Sequence, residues 1–72
     1  MDNNSRTIIA KNIIALRRNK KMTREELSLS LGFENSYISK LEKEKMNITI
    51  DKLDKIANYF NAETYTLLKK KS

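Results

Sequence analysis

Residues 23–43, TREELSLSLGFENSYISKLEK, hold the chain's only glycine between two short apolar stripes. Thr23 followed three residues later by Glu26 has the form of a capping box, in which hydroxyl and carboxylate each satisfy a backbone N–H left open at a helix start. A helix therefore begins at Arg24, with Leu27 and Leu31 on one face. Gly32 ends it, because the left-handed backbone that closes a helix costs glycine little. The next helix is expected two or three residues later, near the preferred cap residue Asn35, with Ile38 and Leu41 buried and Tyr37 adjoining them.

Outward from this segment, Ile9, Ala10, Ile13, Ile14 and Leu16 follow helical spacing, which predicts a first helix from about Ser5 to Asn19. Arg17 and Arg18 near its end oppose the helix dipole, and the polar residues 1–5 are expected to fray. On the other side, Thr49 caps a helix whose stripe is Ile50, Leu53, Ile56, Ala57 and Phe60, with Asn61 as its C-cap. A last helix, over about residues 62–70, carries Tyr65, Leu67 and Leu68. The fold class is all-α: a five-helix bundle in one domain over residues 1–72, with residues 49–70 supplying core and dimerisation.

Two short helices joined by a tight glycine turn make a helix-turn-helix, here over about residues 23–43. A helix about 10 to 12 Å across fits a DNA major groove about 12 Å wide. Small polar residues suit the start of its second helix, where the first turn approaches base edges. There Asn35 can pair with adenine, Ser36 and Ser39 can donate or accept, Lys40 can reach guanine, and Tyr37 can touch a thymine methyl or a phosphate.

Composition narrows the partners. Fifteen basic residues against 9 acidic give a net charge of +6, which favours polyanions. There is no cysteine and no histidine, so disulfides and the common transition-metal sets are excluded and no cofactor is expected. Without those residues, and with no paired carboxylates at a spacing that suggests a pocket, an enzyme is not expected. No apolar run approaches the roughly 20 residues of a membrane span, and the basic residues are spread over several short helices rather than one amphipathic one. No membrane partner, no small-molecule effector and a cytoplasmic location are the resulting expectations.

The stretch LRRNKKMTREELSLSLGFENSYISKLEKEKMN, with Leu53, Ile56, Ala57 and Leu67 after it, resembles the xenobiotic-response-element family of phage-repressor-type helix-turn-helix proteins. The resemblance implies a lambda repressor-like domain in which Thr23, Arg24, Lys43, Lys45 and Asn47 face phosphates and Asn35, Ser36, Tyr37, Ser39 and Lys40 face bases. It also implies an ion pair between Arg17 and Glu42. Arg24 stands where the family usually has Gln, which keeps a phosphate contact and removes an amide. Lys21 and Glu44 replace usual glycines, so those turns are expected to be remodelled, and Ile14 and Leu29 replace residues usually polar. The segment YISKLEKEKMNITIDKLDKIA is similar to the controller proteins of restriction-modification systems; small phage or plasmid repressors and antitoxin-type regulators share most of these residues.

One recognition helix reads too few base pairs to find a genomic site, so a homodimer on an inverted repeat of double-stranded DNA is expected. Tyr59, Ala62, Tyr65 and Leu68 are the interface candidates, with capping of the monomer core as the other role open to Tyr65 and Leu68. Glu25 and Glu26 are candidates for contact with RNA polymerase. A protein-interaction module on the same fold is the reading from a different class.

Overall fold

The computed structural model describes residues 4–70, and all five elements in it are helices: α1 Ser5–Asn19, α2 Arg24–Ser30, α3 Tyr37–Glu42, α4 Ile50–Tyr59 and α5 Thr64–Leu67. α3 packs against α1 and α2, and α5 packs against α1 and α4. Ile13, Leu27, Ile38, Leu53, Ile56 and Leu67 are fully buried, so every helix contributes at least one anchor to a common core. Burying each such side chain is worth roughly 1.5–3 kcal/mol.

The ends of the helices follow one rule. α1, α2, α3 and α4 each close with two backbone bonds around a residue of positive φ, in the Schellman pattern. At α1, Met22 N donates to Arg17 O and Lys21 N to Arg18 O; at α2, Phe33 N donates to Ser28 O and Gly32 N to Leu29 O. The left-handed residues are Lys21 (φ 57°), Gly32 (78°), Glu44 (60°) and Asn61 (57°). The turns at Lys21 and Glu44 are thus not remodelled: two closing bonds hold a lysine and a glutamate where glycine would be cheaper. Asn61 sits one residue beyond the C-cap of α4, which is Phe60.

Several elements depart from the sequence expectation. Met1, Asp2 and Asn3, expected to fray, lie outside the described residues; Asn4 caps α1 by accepting from Arg6 N at 2.8 Å, and Ser5 is helical. α3 begins at Tyr37 rather than near Asn35, because its first turn is capped from another helix. The Ser28 hydroxyl of α2 accepts from Ile38 N at 3.0 Å while donating to Arg24 O, and Ser36 at the N-cap makes no side-chain cap bond. Ile50 lies outside the core at 66% exposure. It is the first residue of α4, where the Cα–Cβ bond tilts back past the helix end. α5 is shorter than residues 62–70, and Asn12 donates to the carbonyls at and just beyond its end. Of the two apolar residues at usually polar positions, Leu29 is exposed and Ile14 half-buried.

Candidate nucleic-acid interface

The helix-turn-helix is α2 and α3. Thr23 and Glu26 form the capping box: Thr23 Oγ1 accepts from Glu26 N at 3.0 Å and Thr23 N donates to Glu26 Oε1 at 2.8 Å. The hydroxyl hydrogen of Thr23 remains available to an outside acceptor.

Glu42, at the end of α3, receives two arginines. Arg17 Nε donates to Oε2 at 2.7 Å and Nη2 to Oε1 at 3.2 Å, and Arg17 Nη1 donates to Met22 O at 2.8 Å. Arg24 Nε lies 3.1 Å from Oε1. The Arg17 and Glu42 side chains are 9% and 5% exposed, while Arg24 is half-exposed. Two cations thus meet one carboxylate, and the more exposed of them, Arg24, stands beside Glu25 and Glu26 in the first turn of α2.

α3 divides its residues by face. Ile38 and Leu41 are buried; Ser39 is half-buried, Lys40 exposed, and before the helix Asn35 is exposed and Ser36 half-buried. Asn35 Nδ2 reaches Glu25 Oε2 at 3.5 Å. Glu34 Oε1 accepts from Ser36 Oγ at 2.7 Å and from Lys40 Nζ at 3.2 Å, and these contacts hold the Glu34 carboxyl below its usual range, the serine hydrogen bond most of all. Ser36 and Lys40 are therefore held on the outer face by an exposed carboxylate.

Tyr37 does not join them. Starting α3 at this residue puts Tyr37 on the face of Leu41, four positions on, and it is 5% exposed. Its ring lies 4.4 Å from that of Phe33, and the Lys52 ammonium stands 5.0 Å from its centroid. Burial raises the phenol pKa, and the phenol oxygen has no hydrogen-bond partner. The side chain expected at a base edge is part of the core.

Lys43 and Lys45 are exposed on the α3–α4 loop. Asn47, on the same loop, turns its Oδ1 to Arg6 Nε at 2.8 Å. Of the interface candidates, Tyr65 is 66% exposed, Leu68 and Tyr59 are exposed and Ala62 is half-buried. Tyr59 Oη points to Met22 Sδ at 3.6 Å. Glu25 and Glu26 are exposed on α2. No helix among the described residues is long and apolar enough to cross a membrane.

The residues missed in the sequence are Ser28, Asn12 and Arg6. Ser28 falls within the Leu27–Leu31 stripe, and a serine at a core position signals a hydrogen bond made there. Asn12 carries the same signal next to Ile13. Arg6 carries none, because its partner is 41 residues away.

A family model described as a helix-turn-helix domain matches residues 10–72. The Neisseria hypothetical transcription factor of Neisseria meningitidis serogroup B is 32% identical over 63 residues, which are 88% of this chain and 59% of that protein. The chain thus spans less than two thirds of that relative's length. The crystal structure of the hypothetical transcription factor NHTF from Neisseria matches with a TM-score of 0.91 at 28% identity, over 97% of this chain and 80% of the other. The clp gene regulator ClgR from Corynebacterium glutamicum has a TM-score of 0.80 at 20% identity, covering 90% of this chain and 69% of its own. The restriction-modification controller protein C.AhdI from Aeromonas hydrophila has 0.78 at 21%, covering 92% and 96%. These last two likenesses carry the fold alone. The matched segment takes in α2, α3 and the Arg17–Glu42 pair, and the chain belongs to the helix-turn-helix domain family, of the xenobiotic-response-element type.

Proposed function

We propose that the chain, as one DNA-binding domain, is a cytoplasmic transcription regulator that binds double-stranded DNA sequence-specifically as a homodimer on an inverted repeat. The observation that carries this reading is the outer face of α3. Ser39 and Lys40 are presented by α3, and Asn35 and Ser36 by the turn just before it, while Ile38, Leu41 and the buried Arg17–Glu42 pair lock the helix to the scaffold. Asn35 reads adenine, Lys40 reads guanine, and the two serines supply adaptable contacts. Thr23, Arg24, Lys43, Lys45 and Asn47 meet phosphates on either side, consistent with a net charge of +6. Tyr65 and Leu68, with Tyr59 and Ala62, pair two copies, and Glu25 and Glu26 face polymerase. The narrower role, control of a restriction-modification system, is supported by the resemblance over residues 37–57.

The test is selection of bound sequences from a random duplex pool, together with sedimentation of the free protein. Recovery of an inverted repeat with half-sites roughly 34 Å apart supports the reading. A monomer that recovers no motif, and whose binding vanishes near physiological salt, points instead to a protein-interaction module on this fold.

A further inference from the structure

The first turn of α1 reaches the α3–α4 loop through two side chains. The Thr7 hydroxyl donates to Glu44 Oε1 at 2.7 Å. Arg6 Nε donates to Asn47 Oδ1 at 2.8 Å, and Arg6 Nη2 converges on the same oxygen. A guanidinium offers donors and no acceptor, so the Asn47 amide turns its oxygen to Arg6 and its N–H2 group away. An asparagine that could otherwise present either end is thereby made a donor.

Arg6, Glu44, Lys45, Met46 and Asn47 line one open notch. Its donors are the Asn47 amide, the Lys45 ammonium and the remaining N–H groups of Arg6. Glu44 is its one carboxylate, and Oε1 of that group already accepts from Thr7. Two cations against one carboxylate leave the notch positive. A group that carries only acceptor oxygens and a single negative charge matches this inventory, and a DNA backbone phosphate is such a group.

We infer that Arg6 completes a phosphate-binding notch for duplex DNA, fixing the Asn47 amide with its hydrogens outward and adding its own guanidinium beside Lys45. The inference rests on the DNA-binding reading above and extends that interface to the first turn of α1. The fork between Arg6 and Asn47 settles the loop side chain before DNA arrives, so less rotamer freedom is lost on binding. Arg6 is thus both a phosphate contact and the positioning residue for Asn47.

The test is binding of the full chain to a fixed short duplex of arbitrary sequence, measured at several salt concentrations between about 50 and 200 mM. Melting curves check that each variant is folded. Arg6→Ala is expected to reduce the slope of log affinity against log salt by about one, and to weaken binding on the order of tenfold at low salt. Asn47→Ala removes no charge; it is expected to weaken binding with the slope unchanged. Lys20→Ala, at the other end of α1 and about 21 Å away by helix rise, reports the loss of a remote cation. If the unmodified chain binds the duplex and Arg6→Ala matches Lys20→Ala in slope and affinity, the notch is overturned and the DNA reading stands. If the unmodified chain binds no duplex at any salt, the DNA reading fails and the notch fails with it.

Discussion

Asn12 Nδ2, in the middle of α1, donates to the Leu67 carbonyl at the end of α5 at 2.7 Å, and it also reaches the carbonyls of Thr66 at 3.3 Å and Lys69 at 3.1 Å. α5 has only four residues, too few to satisfy its own terminal carbonyls, and Asn12 supplies donors from across the bundle. Tyr65 and Leu68 are exposed on a backbone fixed in this way.

Asn12→Ala strips these carbonyls of their partner in a buried site, at a cost of about 1–3 kcal/mol. Thermal melting should report that loss, and, for the pairing proposed above through Tyr65 and Leu68, sedimentation should show self-association weakened along with it. Tyr65→Ala is expected to weaken self-association while leaving the monomer's stability within about 0.5 kcal/mol. An Asn12→Ala protein that melts and sediments like the parent would show that α5 is held by Leu67 burial alone.

Glu42 is the counter-ion for the buried Arg17, so Glu42→Ala leaves a guanidinium with one carbonyl partner inside the protein. The expected loss is about 3–5 kcal/mol. A chain of this length has a total stability of roughly 4–11 kcal/mol, so Glu42→Ala should lie close to unfolding at physiological temperature. Replacing both partners, Arg17→Met with Glu42→Leu, should recover most of the stability, because no buried charge then lacks a partner. Urea titration of the single and double variants separates these outcomes. A double variant no more stable than Glu42→Ala would mean that Met22 O, which loses the Arg17 Nη1 donor, matters as much as the ion pair.

How much was legible in the sequence follows from the range of the interactions. The helix starts at Thr23 and Thr49 are local, each a hydroxyl accepting from a backbone N–H three residues on, and both could be read directly. The burial of Ile38, Leu41, Leu53 and Ile56 follows from spacing alone. The start of α3 could not be read from its own residues, because its cap is Ser28, ten positions earlier on another helix. Tyr37, four positions before Leu41, shares its buried face, so the base contact expected of it was at odds with the helical spacing already in the sequence. The Arg17–Glu42 contact came from the family resemblance, since two charged residues 25 positions apart show no mutual signal in a single sequence. The orientation of the Asn47 side chain had no local signal either, because its partner Arg6 lies 41 residues away.

Lys21 closes α1 at φ 57°, a conformation that costs a residue with a Cβ about 1 kcal/mol. Lys21→Gly should relieve that strain and recover somewhat less, since glycine adds freedom to the unfolded chain. Lys21→Val should lose stability, because a β-branched side chain fits this region worse. Glu44→Gly relieves similar strain at φ 60° but removes the acceptor of the Thr7 hydroxyl, so its gain should be the smaller of the two. For a chain of this size each kcal/mol moves the melting temperature by about 4–8 °C, well within calorimetric resolution. A melting temperature lower for Lys21→Gly than for the parent would show that the turn's strain is already relaxed.

Tyr37 offers a pH dependence with a definite sign. Burial raises its phenol pKa above the model-peptide value of about 10, because the phenolate is the form that the core penalises. An acid whose folded pKa is raised contributes stability that is present below the unfolded value and lost as pH rises through the folded one. The parent's stability should therefore fall above about pH 10 more steeply than that of Tyr37→Phe, which has no proton to lose at this position. At neutral pH the same variant removes a buried hydroxyl without a partner, and should leave stability unchanged or raise it by about 1 kcal/mol. Urea midpoints of the two proteins between about pH 8 and 11 make the comparison, with the lysines common to both cancelling in the difference. A difference that stays constant across that range would mean that the Tyr37 phenolate finds water or a cation in the folded state, Lys52 at 5.0 Å from the ring being the nearest candidate.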